Sequence, residues 1–333
     1  MAKTIAIVTP VLDDWSSFAE LTTEISDRFT GSDVVFHIYA VDDGSAAPFD
    51  AADIVLPTVS CVASIEVIRL AANLGHQRAI AIGLCAVAGR DESDAAVVMD
   101  SDGQDRPVDI SALLAASERH PRHVVFAGRA QRAESRVFRL WYRVYKLMFH
   151  VLTGQAIDFG NYCLMPIAAV RRLVHMPELW NHLAASVMRS RLPYMSVPTV
   201  RGSRCAGRSK MNLVALMVHG LSALSVYTDK IFVRVLLAAG LVAGLAGLGI
   251  VGVAAIRLST DLAIPGWATT AGGDLLIILL QILVIVIAAS LTVLAGRSNR
   301  PIVPIVDCPC FIAERMRCGL DRRGAAAAVR PAA

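Results

Sequence analysis

Two long apolar runs in the last third of the chain limit what it can fold into. Ile231 to Ile256 carries Arg234 as its one charge, and Leu275 to Ala295 carries none. A helix crosses a hydrocarbon core of about 30 Å with ~20 residues, and each run is long enough. The link between them contains Pro265-Gly266-Trp267 and is short, so the pair reads as a helical hairpin through a bilayer. Hydrophobic residues make up 55% of the 333-residue chain, high for a soluble enzyme, and these runs hold the excess.

Charge gives the hairpin a direction. The link holds Arg257 and Asp261, whereas Arg297, Arg300, Arg315, Arg317, Arg322, Arg323 and Arg330 follow Ala295. The positive-inside tendency places that C-terminal segment in the cytoplasm, and two spans return the N-terminal part to the same side. Met1-Ala-Lys3 leads directly into a strand-length run, so no signal peptide is expected.

The N-terminal part alternates strand and helix signals. Thr4 to Thr9 reads as a strand, and Ser17-Phe-Ala-Glu20 as a capping box for a helix running to about Arg28. Val34 to Val41 is a second strand entering Asp42-Asp43-Gly44-Ser45. Ser64 to Leu70 is a third, leading through Asn73-Leu-Gly-His-Gln77 into a helix over 78–88. A fourth, Ala95 to Met99, is followed by a helix begun near Pro107, a favoured first-turn residue. Such alternation predicts an α/β domain with a mostly parallel sheet. Ligands bind such sheets beyond the carboxyl ends of the strands, which here carry Pro10, Asp42-Asp43 and Asp100-Asp102.

Asp100-Ser101-Asp102-Gly103-Gln104 carries the chemistry. Residues i and i+2 at a strand end project to one side, so both carboxylates are expected to converge on one cation. Hard oxygen donors suit Mg²⁺ or Mn²⁺ shared with substrate phosphates. The chain has no Gly-x-Gly-x-x-Gly after its first strand and no Gly-x-x-x-x-Gly-Lys-Ser/Thr, which counts against dehydrogenase and ATPase readings. A nucleotide diphosphate bound without a phosphate-cradling loop needs a metal as its counter-charge.

Two amphipathic helices are expected between the sheet and the spans. Over 135–153, Arg136, Arg139, Arg143, Lys146 and His150 form a basic stripe opposite aromatic and aliphatic residues, as in a helix lying in an anionic membrane interface. Residues 211–227 repeat the pattern more weakly. The seven cysteines are scattered and odd in number, against a disulfide framework, and Cys308-Pro-Cys310 with Cys318 fits no common zinc spacing.

These features together resemble glycosyltransferase family 2, in particular the polyprenyl-phosphate glycosyltransferases akin to dolichyl-phosphate mannose synthase and bacterial undecaprenyl-phosphate glucosyltransferases. The carriers are Thr9-Pro10-Val-Leu-Asp-Asp14, Val41-Asp-Asp-Gly-Ser45, Asn73-Leu-Gly-His-Gln77, Met99-Asp-Ser-Asp-Gly-Gln104 and Gly207-Arg-Ser-Lys210, followed by two spans. The resemblance implies a GT-A-type, Rossmann-like nucleotide-sugar-binding domain over 1–210. An amphipathic interfacial helix over 211–230, a two-helix transmembrane domain over 231–296 and a basic cytoplasmic tail over 297–333 complete the chain. The Ala-rich end of the tail is expected to be disordered.

The resemblance further implies that Pro10, Asp14, Asp42, Asp43, Gln77 and Asp100 contact the nucleotide-sugar. It assigns Asp100, Asp102 and Gln104 to Mg²⁺ or Mn²⁺, and Arg129, Ser135, Arg136, Arg208, Ser209 and Lys210 to the acceptor's phosphate. Asp102 and Asp158 are the catalytic candidates, Asp158 orienting an acceptor-site cation or touching the sugar. The chain departs from the family pattern at Asp13-Asp14, Gly103, Arg106 and Val108, positions that bear on donor identity.

Acceptor chemistry can be argued separately. A hydroxyl acceptor needs a general base, whereas a phosphate monoester, with a second pKa near 6, is already ionised at neutral pH. The chain lacks the Gln-x-x-Arg-Trp element of polysaccharide-building relatives, and Leu179-Trp180-Asn181-His182 does not replace it. The expectation is an inverting, metal-dependent transfer of one sugar to a polyprenyl phosphate at the cytoplasmic membrane, with lipid bilayer, donor and acceptor as partners and no nucleic acid. Homo-oligomerisation stays open. The alternatives are a family 2 transferase for another lipid acceptor and a non-catalytic nucleotide-sugar-binding membrane module.

Overall fold

The structure is a computed structural model that describes residues 2–50, 54, 60–90, 92–129, 136–156, 159–202, 204, 213–260, 266–320 and 326–331. Two compact units emerge: residues 1–146, 156–226 and 302–333 form the first, and residues 147–155 and 227–301 the second.

The first unit is built on a nine-stranded sheet. Its strands are β1 (Lys3–Val11), β2 (Val34–Asp42), β3 (Val62–Leu70), β4 (Ala95–Val98), β5 (Val124–Arg129), β6 (Phe159–Pro166), β7 (Tyr194–Thr199), β8 (Ile312–Leu320) and β9 (Ala326–Pro331). The spatial order is β7-β5-β6-β4-β1-β2-β3-β8-β9. β3, β2, β1 and β4 run parallel, as do β5 and β7, whereas β6 lies antiparallel between β4 and β5.

The parallel strands are apolar on both faces because helices cover both. Along β1, Ala6 and Val8 enter one core with α2 (His76–Ala88), α5 (Ile167–Leu173) and α6 (Leu183–Arg189). Ile5 and Ile7 point the other way, into a core with α1 (Trp15–Phe29) and α3 (Pro107–Arg119). Helix α2 lies so close to the sheet that a Cβ on Gly83 would come within 2.4 Å of Val8 Cγ1.

Two sequence expectations change here. Helix α1 starts at Trp15 rather than at a Ser17 capping box; Asp14 occupies the N-cap position, and Ser17 is buried inside the first turns. The segment read as a basic tail with a disordered end rejoins the first unit. Strand β8 pairs antiparallel with β3, and β9 pairs with β8. Ion pairing explains the arginines: Arg315 lies 3.8 Å from the buried Glu66, and Arg317 lies 3.6 Å from Glu92. Phe311 stacks on Trp180 at 5.0 Å between centroids, and the Sγ atoms of Cys308 and Cys85 are 3.3 Å apart in the core. Cys310 is exposed, away from that buried contact.

Helices α4 (Arg136–Thr153) and α7 (Leu213–Ser225) lie within the two segments expected to be helical, 135–153 and 211–227. Val144, Leu147, Met148 and Val151 of α4 are exposed, as are Met217, Val218 and Leu221 of α7.

The second unit is dominated by α8 (Thr228–Ser259) and α9 (Trp267–Ser298). Both are long and apolar enough to cross a membrane, and only 6% and 0% of their most apolar windows is buried inside the protein. A core helix of a water-soluble protein is covered by the rest of the fold, whereas these two are not. Gly249 meets Leu275, and Arg297 lies 3.6 Å from Asp229, setting α8 and α9 as an antiparallel pair. Arg234, the lone charge of the first apolar run, donates to the carbonyls of His150 and Val151 in the last turn of α4, where the His150 carbonyl also accepts from the Gly154 N–H at 2.7 Å.

Candidate active site

The candidate site forms where β1, β2 and β4 end. The register pairs Val11 with Asp42 and Val8 with Val98, so Pro10, Asp42 and the loop from Asp100 share one edge. Ser101 Oγ donates to the Pro10 carbonyl at 3.4 Å, fastening that loop to β1.

The acidic loop is more folded than its sequence suggests. β4 ends at Val98, so Asp100 and Asp102 lie in a turn, and strand pleating does not align their side chains. Gly103 takes φ +81°, the left-handed region that glycine enters without steric cost. Asp102 Oδ1 accepts from the Gln104 N–H at 3.0 Å, an Asx-type turn. Asp105, which is buried, accepts from the Asp100 N–H at 3.0 Å.

Several polar side chains from elsewhere in the first unit approach this loop. Asp100 Oδ1 lies 3.3 Å from His76 Nε2, which also sits 3.2 Å from Asn161 Nδ2. Desolvation holds the His76 imidazole below the ordinary histidine range, against the opposing pull of Asp105, Asp43 and Asp102. Arg204 Nη2 donates to Asp102 Oδ2 at 2.6 Å, and Arg201 donates to the Gln104 side-chain oxygen. Both arginines follow β7, and the Gly202 N–H donates to the Gln104 carbonyl at 3.0 Å. Among the described residues, no three His, Cys, Asp or Glu side chains group as a metal centre.

The expected nucleotide-sugar contacts divide into two groups. Asp14, at the N-cap of α1, makes no capping bond with its side chain. Asp42 is buried, accepts from the Ser45 N–H at 2.7 Å and lies 3.7 Å from Arg69. Asp43, also buried, accepts from the N–H groups of Leu74 at 2.7 Å and Gly75 at 3.0 Å, fixing the turn into α2. Burial pushes the Asp43 carboxyl above the ordinary carboxylate range, and those N–H groups oppose the shift. Gln77 turns into the core, where its Oε1 accepts from the Leu183 N–H at 2.8 Å and holds the start of α6. Asp42, Asp43 and Gln77 thus build the frame of the edge.

Arg129 ends β5 opposite Thr199 of β7, and Arg136 opens α4. Ser135, Asp158, Arg208, Ser209 and Lys210 lie outside the described residues. The sequence reading passed over His76, Asn161, Asp105, Arg201 and Arg204 as site residues. His76 and Asp105 adjoin motifs already singled out; nothing local marks the other three, because their place depends on β6 pairing with β4 and on β7 joining the same sheet through β5.

The chain is 27% identical over 219 residues to the undecaprenyl-phosphate 4-deoxy-4-formamido-L-arabinose transferase of Sodalis glossinidius (strain morsitans), an alignment covering 64% of each chain. The chain thus spans less than two thirds of that relative's length. Among solved structures, it is similar to glucosyl-3-phosphoglycerate synthase from Mycobacterium tuberculosis in complex with Mn²⁺, UDP-glucose and phosphoglyceric acid. That match has 14% identity and a TM-score of 0.46, over 69% of this chain and 80% of that one. Mannosyl-3-phosphoglycerate synthase from Rubrobacter xylanophilus matches at 14% identity and a TM-score of 0.47, over 69% and 74% of the two chains. The sequence profile of glycosyl transferase family 2 matches residues 6–176, just over half of the chain and the whole stretch from β1 through the acidic loop to α5, and the chain therefore belongs to that family.

Proposed function

We propose that this protein transfers one sugar from a nucleotide-sugar to a polyprenyl phosphate at the cytoplasmic surface of a membrane, with inversion at the anomeric carbon. The observation that carries the reading is a family 2 catalytic sheet continuous with two bilayer-length helices. β3 precedes those helices in the chain and β8 follows them, yet the two strands pair. Both flanks of the hairpin therefore belong on one side of any bilayer that α8 and α9 cross, which supports an even number of crossings. A catalytic unit so tethered favours an acceptor that resides in the membrane. The Sodalis relative, named for undecaprenyl phosphate, supports the same acceptor class.

The donor set of the acidic loop suits a divalent cation. Asp100 and Asp102 offer hard oxygens within one turn, and a guanidinium already rests on Asp102 Oδ2 at 2.6 Å, so positive charge is accepted there. In this reading Asp100 and Asp102, with Gln104 beside them, hold Mg²⁺ or Mn²⁺, which offsets the charge of the leaving diphosphate. Asp14 and the Pro10 edge face the nucleoside. Arg129 and Arg136, with Ser135, Arg208, Ser209 and Lys210, screen the acceptor phosphate from the donor and align it for in-line attack. An acceptor phosphate near its dianionic form needs no general base, and Asp158 is then an orienting group rather than an obligatory one.

The test is transfer from labelled nucleotide-sugars to polyprenyl phosphate, to the corresponding alcohol and to diacylglycerol, using the full-length protein in membranes. Transfer to the phosphate alone is expected. Transfer to the alcohol or diacylglycerol would move the reading to another lipid acceptor, and no turnover with any donor would favour a non-catalytic module.

A further inference from the structure

Arg204 lies on a residue that the proposed chemistry needs for a cation. Its Nη2 is 2.6 Å from Asp102 Oδ2, with the Arg204 side chain 26% exposed and that of Asp102 15% exposed. A pair this sheltered is screened only partly by salt. Arg201 engages the Gln104 side chain in the same way, and the Gly202 N–H binds the Gln104 carbonyl. The backbones approach so closely that a Cβ on Gly202 would come within 2.3 Å of the Gly103 carbonyl oxygen and 2.9 Å of Arg106 Cγ. Gly202, just after β7, is therefore seated on the acidic loop by backbone contact, and the guanidinium groups of Arg201 and Arg204 reach its polar side chains.

We propose that Arg204 is a built-in counter-cation of Asp102, which a divalent cation must displace before the donor diphosphate is held, and that Arg201 plays the lesser part at Gln104. This inference rests on the cation reading of Asp100 and Asp102 given above. The physical reason is competition: a divalent ion and a guanidinium on the same carboxylate oxygen repel each other, and one oxygen cannot give its best geometry to both. With no metal bound, the arginine keeps a partly buried carboxylate paired. The displaced guanidinium stays tethered beside the site, facing the region where donor charge arrives. Arg204 is thus a positioning residue that couples cation entry to release of its own contact with Asp102.

The experiment is Mn²⁺ titration of the full-length, nucleotide-free protein, with free Mn²⁺ read by electron paramagnetic resonance. Arg204→Gln is expected to bind Mn²⁺ roughly tenfold more tightly than the wild type, the scale of one charge-assisted hydrogen bond. Arg201→Gln should shift affinity less in the same direction. Gly202→Ala keeps both arginines but lifts the segment from Gly103, and it should also tighten binding. Asp102→Asn serves as the control and should lose Mn²⁺ binding. Unchanged or weaker affinity in Arg204→Gln, with Asp102→Asn still losing binding, overturns the displacement idea while leaving the cation reading intact. Wild-type Mn²⁺ affinity in Asp102→Asn, or no binding in either the wild type or Arg204→Gln, overturns the cation reading and this inference with it.

Discussion

Arg315 on β8 reaches to 3.8 Å from Glu66 on β3, joining strands that lie on opposite sides of the apolar helical pair in sequence. Glu66 is buried, and its other oxygen pairs with Arg90 at 2.7 Å. Loss of Arg315 leaves Arg90 to offset the buried carboxylate, so part of its charge compensation goes with the strand. Truncation after Arg300 removes β8, Arg315 and the Phe311 cover on Trp180. The truncated protein is expected to lose the cooperative thermal unfolding of the first unit, or to fail to accumulate. Unfolding identical to the full chain would show that the C-terminal strands contribute nothing.

Helix α2 supplies a packing test. At Gly83 the added methyl of alanine would meet Val8 Cγ1 at 2.4 Å, in a core with no exposure on either side. Alanine adds about 1 kcal/mol of helix propensity, whereas overpacking costs about 1–3 kcal/mol. Gly83→Ala should therefore be net destabilising, by about 1 kcal/mol, read as a lower denaturation midpoint. Gly31→Ala is no suitable control, since Gly31 has φ +82°. Gly89→Ala, where the nearest atom lies at 3.5 Å, should change little.

His37 on β2 gives a pH dependence of stability. Its Nδ1 lies 2.7 Å from Ser64 Oγ. Desolvation holds the imidazole below the ordinary histidine range; Glu92 opposes this, and Arg317 and Arg90 reinforce it. The unfolded chain thus takes up the proton first as pH falls through about 6.5. Stability is fully present above that value and is lost as pH falls toward the lowered folded pKa. His37→Gln should flatten the fall in melting temperature between neutral and mildly acidic pH. An unchanged slope would assign the loss to other groups.

Asp102→Asn removes the negative charge that both Arg204 and the proposed cation use. Sugar transfer should fall below about one hundredth of wild type, and EDTA should do the same to the unmodified enzyme. Mg²⁺ or Mn²⁺ should restore only the latter. Full activity of the purified protein in EDTA would rule out the metal role.

Replacing Arg129 or Lys210 by alanine should lower kcat/KM for polyprenyl phosphate by about tenfold or more, since charge-assisted phosphate contacts contribute roughly 1.5 to 3 kcal/mol each. Donor affinity in the presence of metal should stay nearly constant. An equal loss of donor affinity would place these residues on the nucleotide-sugar instead.

The sequence by itself determined the elements whose signal is local. Apolar runs located β1 to β4 to within a few residues, because strands covered on both faces must be apolar throughout. The uncharged stretches around Ala246 and Leu283 declared two bilayer-length helices, because hydrocarbon tolerates little else. The acidic loop and its neighbours at one sheet edge were legible from order and spacing. Tertiary structure alone decided the rest. Whether Ile312–Leu320 is a tail or a strand depends on β3 having an open edge and Glu66 needing a cation, conditions set far away in sequence. Gln77 lies in a motif that suggested ligand contact, yet the start of α6 claims its side chain. Arg201 and Arg204 look like ordinary surface charges until β7 delivers them to Gln104 and Asp102. Long-range partners of this kind leave no periodic trace, since they arise from the order of strands in the assembled sheet rather than from the pattern of any one segment.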